Sequence, residues 1–304
     1  MTLLRCVVTG MVLLAPGLGA PTAAYAQFPN IGGIMNRVET AKKAGDALRE
    51  IGEQEEIALG ADLAGIILDT APLVKDPVQQ RYINRLGRWI AMHSERAQLP
   101  WKFGIIDSDT INAFSTPGGH ILITRGLFER TRNESELAGV LAHEVAHVVK
   151  KHHLAALQKS MGNSALSSVG QLYRVNSGGI TGALTEQLLA NGKELFVRGL
   201  DKNDEYEADR MGVVIAARSG YSAYGLVGVL QTLSTTPTEG AYALMFKTHP
   251  TPNDRIERLG NAMGTRLDGL PGLVDDLPSF VALRNPMAKA VPPAAKPRRK
   301  PARP

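Results

Sequence analysis

The chain has 304 residues, 44% of them apolar and 21% charged, a composition that supports a folded core and excludes a fibrous or wholly disordered chain. Its single cysteine, Cys6, lies ahead of an apolar run near the start, which excludes a disulfide framework, a thiolate nucleophile and a cysteine-based metal site in the remainder. The formal charge of +5 sits at the ends: without Arg5 and the six basic residues of 287–304 the body carries −2, a balance that argues against a nucleic-acid partner.

Residues 1–26 have the form of a secretory signal peptide: one charge at Arg5, a short apolar run broken by Gly and Pro, and the small-residue site Ala24-Tyr25-Ala26. Residues 27–265 read as one domain. Val38, Ala41, Ala44, Leu48 and Ile51 recur at helix spacing from Arg37 to about Leu68, and Tyr82, Leu86, Trp89 and Ile90 mark a second helix from Pro77 to His93. Three short strands follow, Lys102 to Asp107, Ile111 to Phe114 and His120 to Thr124, the last two separated by the Pro117-Gly118-Gly119 turn. A helix capped by Asn133 or Ser135 is expected to run with few breaks from Glu136 to about Leu157. Residues 160–185 are rich in Gly, Ser and Asn and have weak periodicity, as expected of a connection. Further helices are expected at about Asp204–Arg218, from Ser222 to about Leu233, and from Asn253 or Asp254 to Met263. Residues 266–286 form a C-terminal extension, and residues 287–304 read as a basic disordered tail with possible contact to anionic lipid or peptidoglycan. No helical repeat follows residue 265.

The chemistry is carried by His143-Glu144-Val145-Ala146-His147. Residues i and i+4 of a helix share a face, so both imidazoles can reach one zinc ion, with Glu144 beside them as general base toward a water. The apolar lead-in from Leu137 to Ala142 makes inward-facing His and Glu costly without a partner. A third protein ligand is required. Among His152, His153, Glu205, Glu207, Asp209 and His249, the first two lie on the same helix, where His152 points away, and both read as exposed helix-end residues. Glu205 is the better candidate, on a separate helix, with Asp209 one turn later on the same face and able to accept the outer N–H of a ligand histidine.

The chain resembles the gluzincin zinc metallopeptidase family of CAAX prenyl endopeptidases, HtpX heat-shock proteases and BepA/LoiP-type periplasmic proteases. The resemblance rests on Asn112-Ala113-Phe114 with Pro117-Gly118-Gly119, Thr124-Arg125-Gly126-Leu127, the helix from Leu137 to His153, Glu205-x-x-Ala208-Asp209, and His249-Pro250 with Arg255-Ile256. It implies an α+β fold, a mostly helical zincin-like domain with a small antiparallel sheet beside the HExxH helix. It also implies one zinc per chain held by His143, His147 and Glu205, Glu144 as catalytic base, Asp209 behind a ligand, and His249 near the metal as a reversible ligand or oxyanion stabiliser. Arg255 reads equally as a surface residue or as one that positions that loop or helps hold the oxyanion.

The strand His120 to Thr124 is expected at the sheet edge, pairing with extended substrate, with Asn112, Phe114, Gly119, His120 and Ile121 shaping the cleft. The function expected is hydrolysis of unfolded or misfolded envelope proteins in the periplasm, with outer-membrane assembly machinery as a possible partner. The competing reading is a zinc-bearing chaperone or adaptor whose proteolysis is latched or absent.

Overall fold

The structure, a computed structural model, describes residues 51–161, 191, 194, 198–236, 239–270 and 273–284. The signal-like segment, most of the Gly-rich connection and the basic tail lie outside the described residues, as does the first part of the helix expected from Arg37. All described residues fall within the unit Lys43–Pro304, and none of their helices is long and apolar enough to cross a membrane.

Helix α1 (Glu53–Thr70) begins where the Glu55 carboxylate accepts from the Gly52 N–H at 3.0 Å, with Glu53, Glu55 and Glu56 at the positive end of its dipole. Helix α2 (Pro77–Ala91) starts at Asp76, whose carboxylate accepts from the N–H groups of Val78 and Gln79, with Pro77 in its first turn. Strands β1 (Lys102–Ile106), β2 (Ala113–Thr116) and β3 (His120–Thr124) form a mixed sheet in the order β1-β3-β2. β1 runs parallel to β3 with Lys102 opposite His120, and β2 runs antiparallel to it with Phe114 opposite Leu122.

This order corrects the expected place of His120–Thr124. β3 is the central strand, hydrogen-bonded on both sides and buried along its whole length. Gly119, His120 and Ile121 therefore have no free ladder to offer an incoming peptide. The run Ile121-Leu122-Ile123 is the continuous apolar pattern of a strand covered on both faces. The outer strands are β1 and β2, and β2 has no strand on its outer side among the described residues.

After the short α3 (Arg125–Arg130) comes α4 (Glu134–Val149), capped by the Asn133 side chain, which accepts from the Glu136 N–H at 2.9 Å. Every residue from Glu134 to Val148 is buried. The helix expected from Glu136 to about Leu157 is divided at Lys150, and α5 (His152–Met161) restarts after Lys151, whose φ of 57° is the one left-handed value of a non-glycine among the described residues. Helices α6 (Lys202–Arg218), α7 (Gly225–Ser234), α8 (Ala243–Thr248) and α9 (Pro252–Met263) follow, the last capped by Thr251 rather than by Asn253 or Asp254. α4 packs against α6, α7, α2 and the sheet, and so forms the centre of the fold.

The stretch beyond residue 265 is joined to this body. The Ser135 N–H donates to the Asp275 carbonyl at 2.9 Å and the Glu134 N–H to Asp276 Oδ1 at 2.8 Å, so two of the unpaired donors that begin α4 are met from the C-terminal side. Buried Glu134 accepts in turn from the Leu277 N–H and the hydroxyls of Tyr82 and Tyr221. Phe280, in α10 (Pro278–Arg284), is buried beside Tyr82 and Phe128.

α4 and α6 approach closely at Gly212, where an added Cβ would stand 2.9 Å from both Cα and N of His143. Gly212→Leu is expected to force the helices apart and to lower stability by about 1–3 kcal/mol. Thermal unfolding of the purified variant checks this; an unchanged melting temperature would contradict the packing.

Candidate metal centre

His143 and His147 stand one turn apart on α4, and their Nε2 atoms face one another at 3.1 Å. From α6, Glu205 places Oε2 3.6 Å from His143 Nε2 and Oε1 3.6 Å from His147 Nε2. The three side chains are buried and their candidate ligand atoms lie within 4.8 Å of one another. Two nitrogens bound to a tetrahedral zinc ion at ordinary length stand roughly 3.3 Å apart, so this spacing fits one ion. The stronger sign is Glu205 Oε2, which is buried with no hydrogen-bond partner. A carboxylate oxygen out of water and without a donor is costly unless a cation meets it. The donor set, two imidazoles and one carboxylate, suits zinc.

Asp209, one turn beyond Glu205 on α6, puts Oδ1 3.0 Å from His143 Nδ1. An ionised carboxylate only accepts, so it holds a proton on Nδ1 and leaves Nε2 as the nitrogen that faces the cluster. Asp209 is itself held by buried Arg255, whose Nε and Nη2 reach its two oxygens at 2.9 and 2.5 Å. Arg255 thus stands inside the site rather than at the surface. Burial alone would raise the Asp209 pKa, but Arg255 and His143 hold it well below the usual carboxylate range. Burial also opposes charge on His143, yet the Asp209 and Glu205 carboxylates outweigh it and push its pKa up to about 9. For Glu205, burial is outweighed by His249, His143 and His147, which depress its pKa strongly.

Glu144 is buried beside the pair and accepts from the Ser115 hydroxyl on β2 at 2.7 Å. His249, at the end of α8, brings Nε2 to 3.6 Å from Glu205 Oε2. Its Nδ1 lies 2.9 Å from the Thr248 hydroxyl and 3.3 Å from the Met245 carbonyl. Against that carbonyl the neutral ring carries its proton on Nδ1 and presents the Nε2 lone pair to the cluster. The cleft in front is lined by Asn112, Ala113, Phe114, Ser115, His153 and Leu200, among others. Asn112 Oδ1 is buried there without a hydrogen-bond partner.

The structure therefore brings His143, Glu144, His147, Glu205, Asp209, His249, Asn112 and Phe114 together, and leaves Gly119, His120 and Ile121 in the turn and the interior strand. The reading of His152 and His153 as exposed helix-end residues is corrected. His152 is 5% exposed and its Nδ1 lies 2.9 Å from His147 Nδ1, while His153 lines the cleft. The sequence reading missed Ser115 and Thr248, whose hydroxyls orient Glu144 and His249. For Ser115 the available signal was its position next to Phe114 on a strand already assigned to the cleft.

Residues 77–263 match the description "Peptidase family M48". The chain is 31% identical over 222 residues to the beta-barrel assembly-enhancing protease of Yersinia pestis, covering 68% of this chain and 43% of that protein. It is 27% identical over 172 residues to the metalloprotease LoiP of Escherichia coli strain K12, covering 56% of this chain and 65% of that protein. The crystal structure of S. mikatae Ste24p aligns at 18% identity and a TM-score of 0.35, covering 75% of this chain and 62% of that one. The chain thus spans less than half the length of the first of these relatives.

Two substitutions separate ligand from support. Glu205→Ala is expected to abolish stoichiometric zinc binding, and Asp209→Asn to weaken it by about 10–100-fold. Equilibrium competition against a chelator measures both; wild-type affinity in Glu205→Ala would remove this residue from the site.

Proposed function

Since the chain belongs to peptidase family M48, we propose that it is a zinc-dependent endopeptidase acting on unfolded or misfolded envelope proteins in the periplasm. The observation that carries this reading is the buried carboxylate of Glu144, held by Ser115 beside the His143–His147–Glu205 triple. His143, His147 and Glu205 would hold the ion. When bound, zinc supplies Lewis-acid polarisation to the attacking water and the scissile carbonyl.

The protein's own groups supply the rest. Glu144 removes the proton from the attacking water and delivers it to the leaving amine. The Ser115 hydroxyl, donating to Oε2, fixes the direction in which that carboxylate points. Asp209 and Arg255 keep His143 in the tautomer a ligand needs. With its Nε2 facing the cluster, His249 would be a further ligand to the ion or a donor-side support for the developing oxyanion.

The edge of β2 beside the cleft supports binding of an extended peptide along Ala113–Ser115 through main-chain bonds, with Asn112 Oδ1 accepting from a substrate N–H. Such recognition is largely blind to sequence and suits chains that have lost their fold. The signal-like leader and the name of the Yersinia pestis relative support an envelope setting and a link to outer-membrane assembly.

Glu144→Gln is expected to retain zinc while proteolysis of an unfolded casein falls by at least about 10²-fold, and a chelator is expected to silence the wild type. Cleavage retained by the purified variant would refute the assignment of the base. A folded, zinc-loaded wild type that binds unfolded chains without cutting them would favour a chaperone.

A further inference from the structure

We propose that His152 is a positioning residue for the metal site, orienting the ligand His147 through its outer nitrogen. The proposal rests on the reading of His147 as a zinc ligand and adds the group behind it. His143 and His147 face the same cluster through Nε2, so each needs a partner on Nδ1. For His143 that partner is Asp209. Among the described residues no carboxylate occupies the corresponding place behind His147; the imidazole of His152 does, at 2.9 Å between the two Nδ1 atoms.

The proton order along this chain is fixed by the first ring. A His147 that gives Nε2 to a metal carries its hydrogen on Nδ1 and donates it. His152 must then accept through Nδ1, which leaves its own hydrogen on Nε2. That nitrogen faces the α6 carboxylates, Glu207 Oε2 at 3.4 Å and Asp204 Oδ1 at 3.9 Å. Both hydrogen bonds run in the same direction, from His147 through His152 to Glu207. Glu207 is anchored from the other side by Lys150 Nζ at 2.5 Å.

The fold goes out of its way to make this contact. On an unbroken helix, residue 152 would stand five positions past residue 147, roughly 140° around the axis, and would point elsewhere. The break at Lys150–Lys151 redirects it. Lys151 takes the left-handed conformation that a residue with a side chain enters only at a cost, in the place where glycine is usual. The turn is held on its far side by buried Glu56, whose Oε2 lies 3.6 Å from Lys151 Nζ and whose Oε1 accepts from Arg96 at 2.7 Å. The result is an imidazole only 5% exposed, seated against the back of a ligand.

The test is the equilibrium zinc affinity of the full chain by chelator competition, with the melting temperature of the metal-free protein as a check on folding. His152→Phe keeps the ring and removes the acceptor; zinc affinity is expected to fall by about 10–100-fold with little change in melting. His152→Asn places an amide oxygen where Nδ1 stands and is expected to recover most of that loss. Glu207→Ala, at an accessible position, is expected to fall between the two. Should His152→Phe fail to fold, near-wild-type affinity in His152→Asn together with weakened affinity in Glu207→Ala still supports the relay. Equal affinities in wild type and folded His152→Phe would overturn it, as would His152→Asn binding no better than folded His152→Phe. Zinc binding that survives His147→Ala would instead overturn the metal-site reading, and this proposal with it.

Discussion

The site depends on how closely two helices pack. α4 carries both imidazoles and α6 carries the carboxylate, and Gly212 of α6 lies against the backbone of His143 with no room for a side chain. That contact sets the reach of Glu205 and Asp209, which leave the same face of α6 one turn apart. Glu205 meets the inner nitrogens of both histidines and Asp209 the outer nitrogen of one. A shift of α6 along α4 would therefore misplace a ligand and its support together. The fold protects the arrangement by burying α4 from Glu134 to Val148 and tying its first turn to Asp275, Asp276 and Leu277.

Burying this many polar groups is unfavourable unless each is answered, and the answers are arranged in layers. Asp209 is matched by Arg255, Glu144 by Ser115, and His249 by Thr248 and the Met245 carbonyl. Behind His147 stands His152. Within the His143–His147–Glu205 triple the atom left unanswered is Glu205 Oε2, at the centre of the cluster. Its isolation within a well-satisfied surround is the physical sign that a cation belongs there.

The local part of this account was legible in the sequence. Spacing of i and i+4 places His143 with His147 and Glu205 with Asp209, and that spacing survives any packing of the helices. Asp76, Pro77 and Asn133 mark helix starts through bonds to their immediate neighbours, so those starts could be read from the chain. What was misread was set by tertiary contacts. His152 was dismissed because spacing arguments assume a continuous helix, and nothing in Val148-Val149-Lys150-Lys151 announces a left-handed residue. β3 was taken for an edge strand open to substrate, whereas β1 pairs along its other side. The acidic pair Asp275–Asp276 looks like any polar loop until it is seen at the start of α4. Arg255 could not be told from a surface arginine until Asp209 was placed opposite it.

The central claim is that one divalent ion joins α4 to α6 through His143, His147 and Glu205. A crystal structure of the purified, zinc-loaded protein with anomalous data at the zinc edge measures this directly. The account predicts one zinc per chain, with Nε2 of both histidines and a Glu205 oxygen about 2.0–2.2 Å from it. An ion bound elsewhere, or one coordinated by the histidines while Glu205 stays turned away, would contradict it.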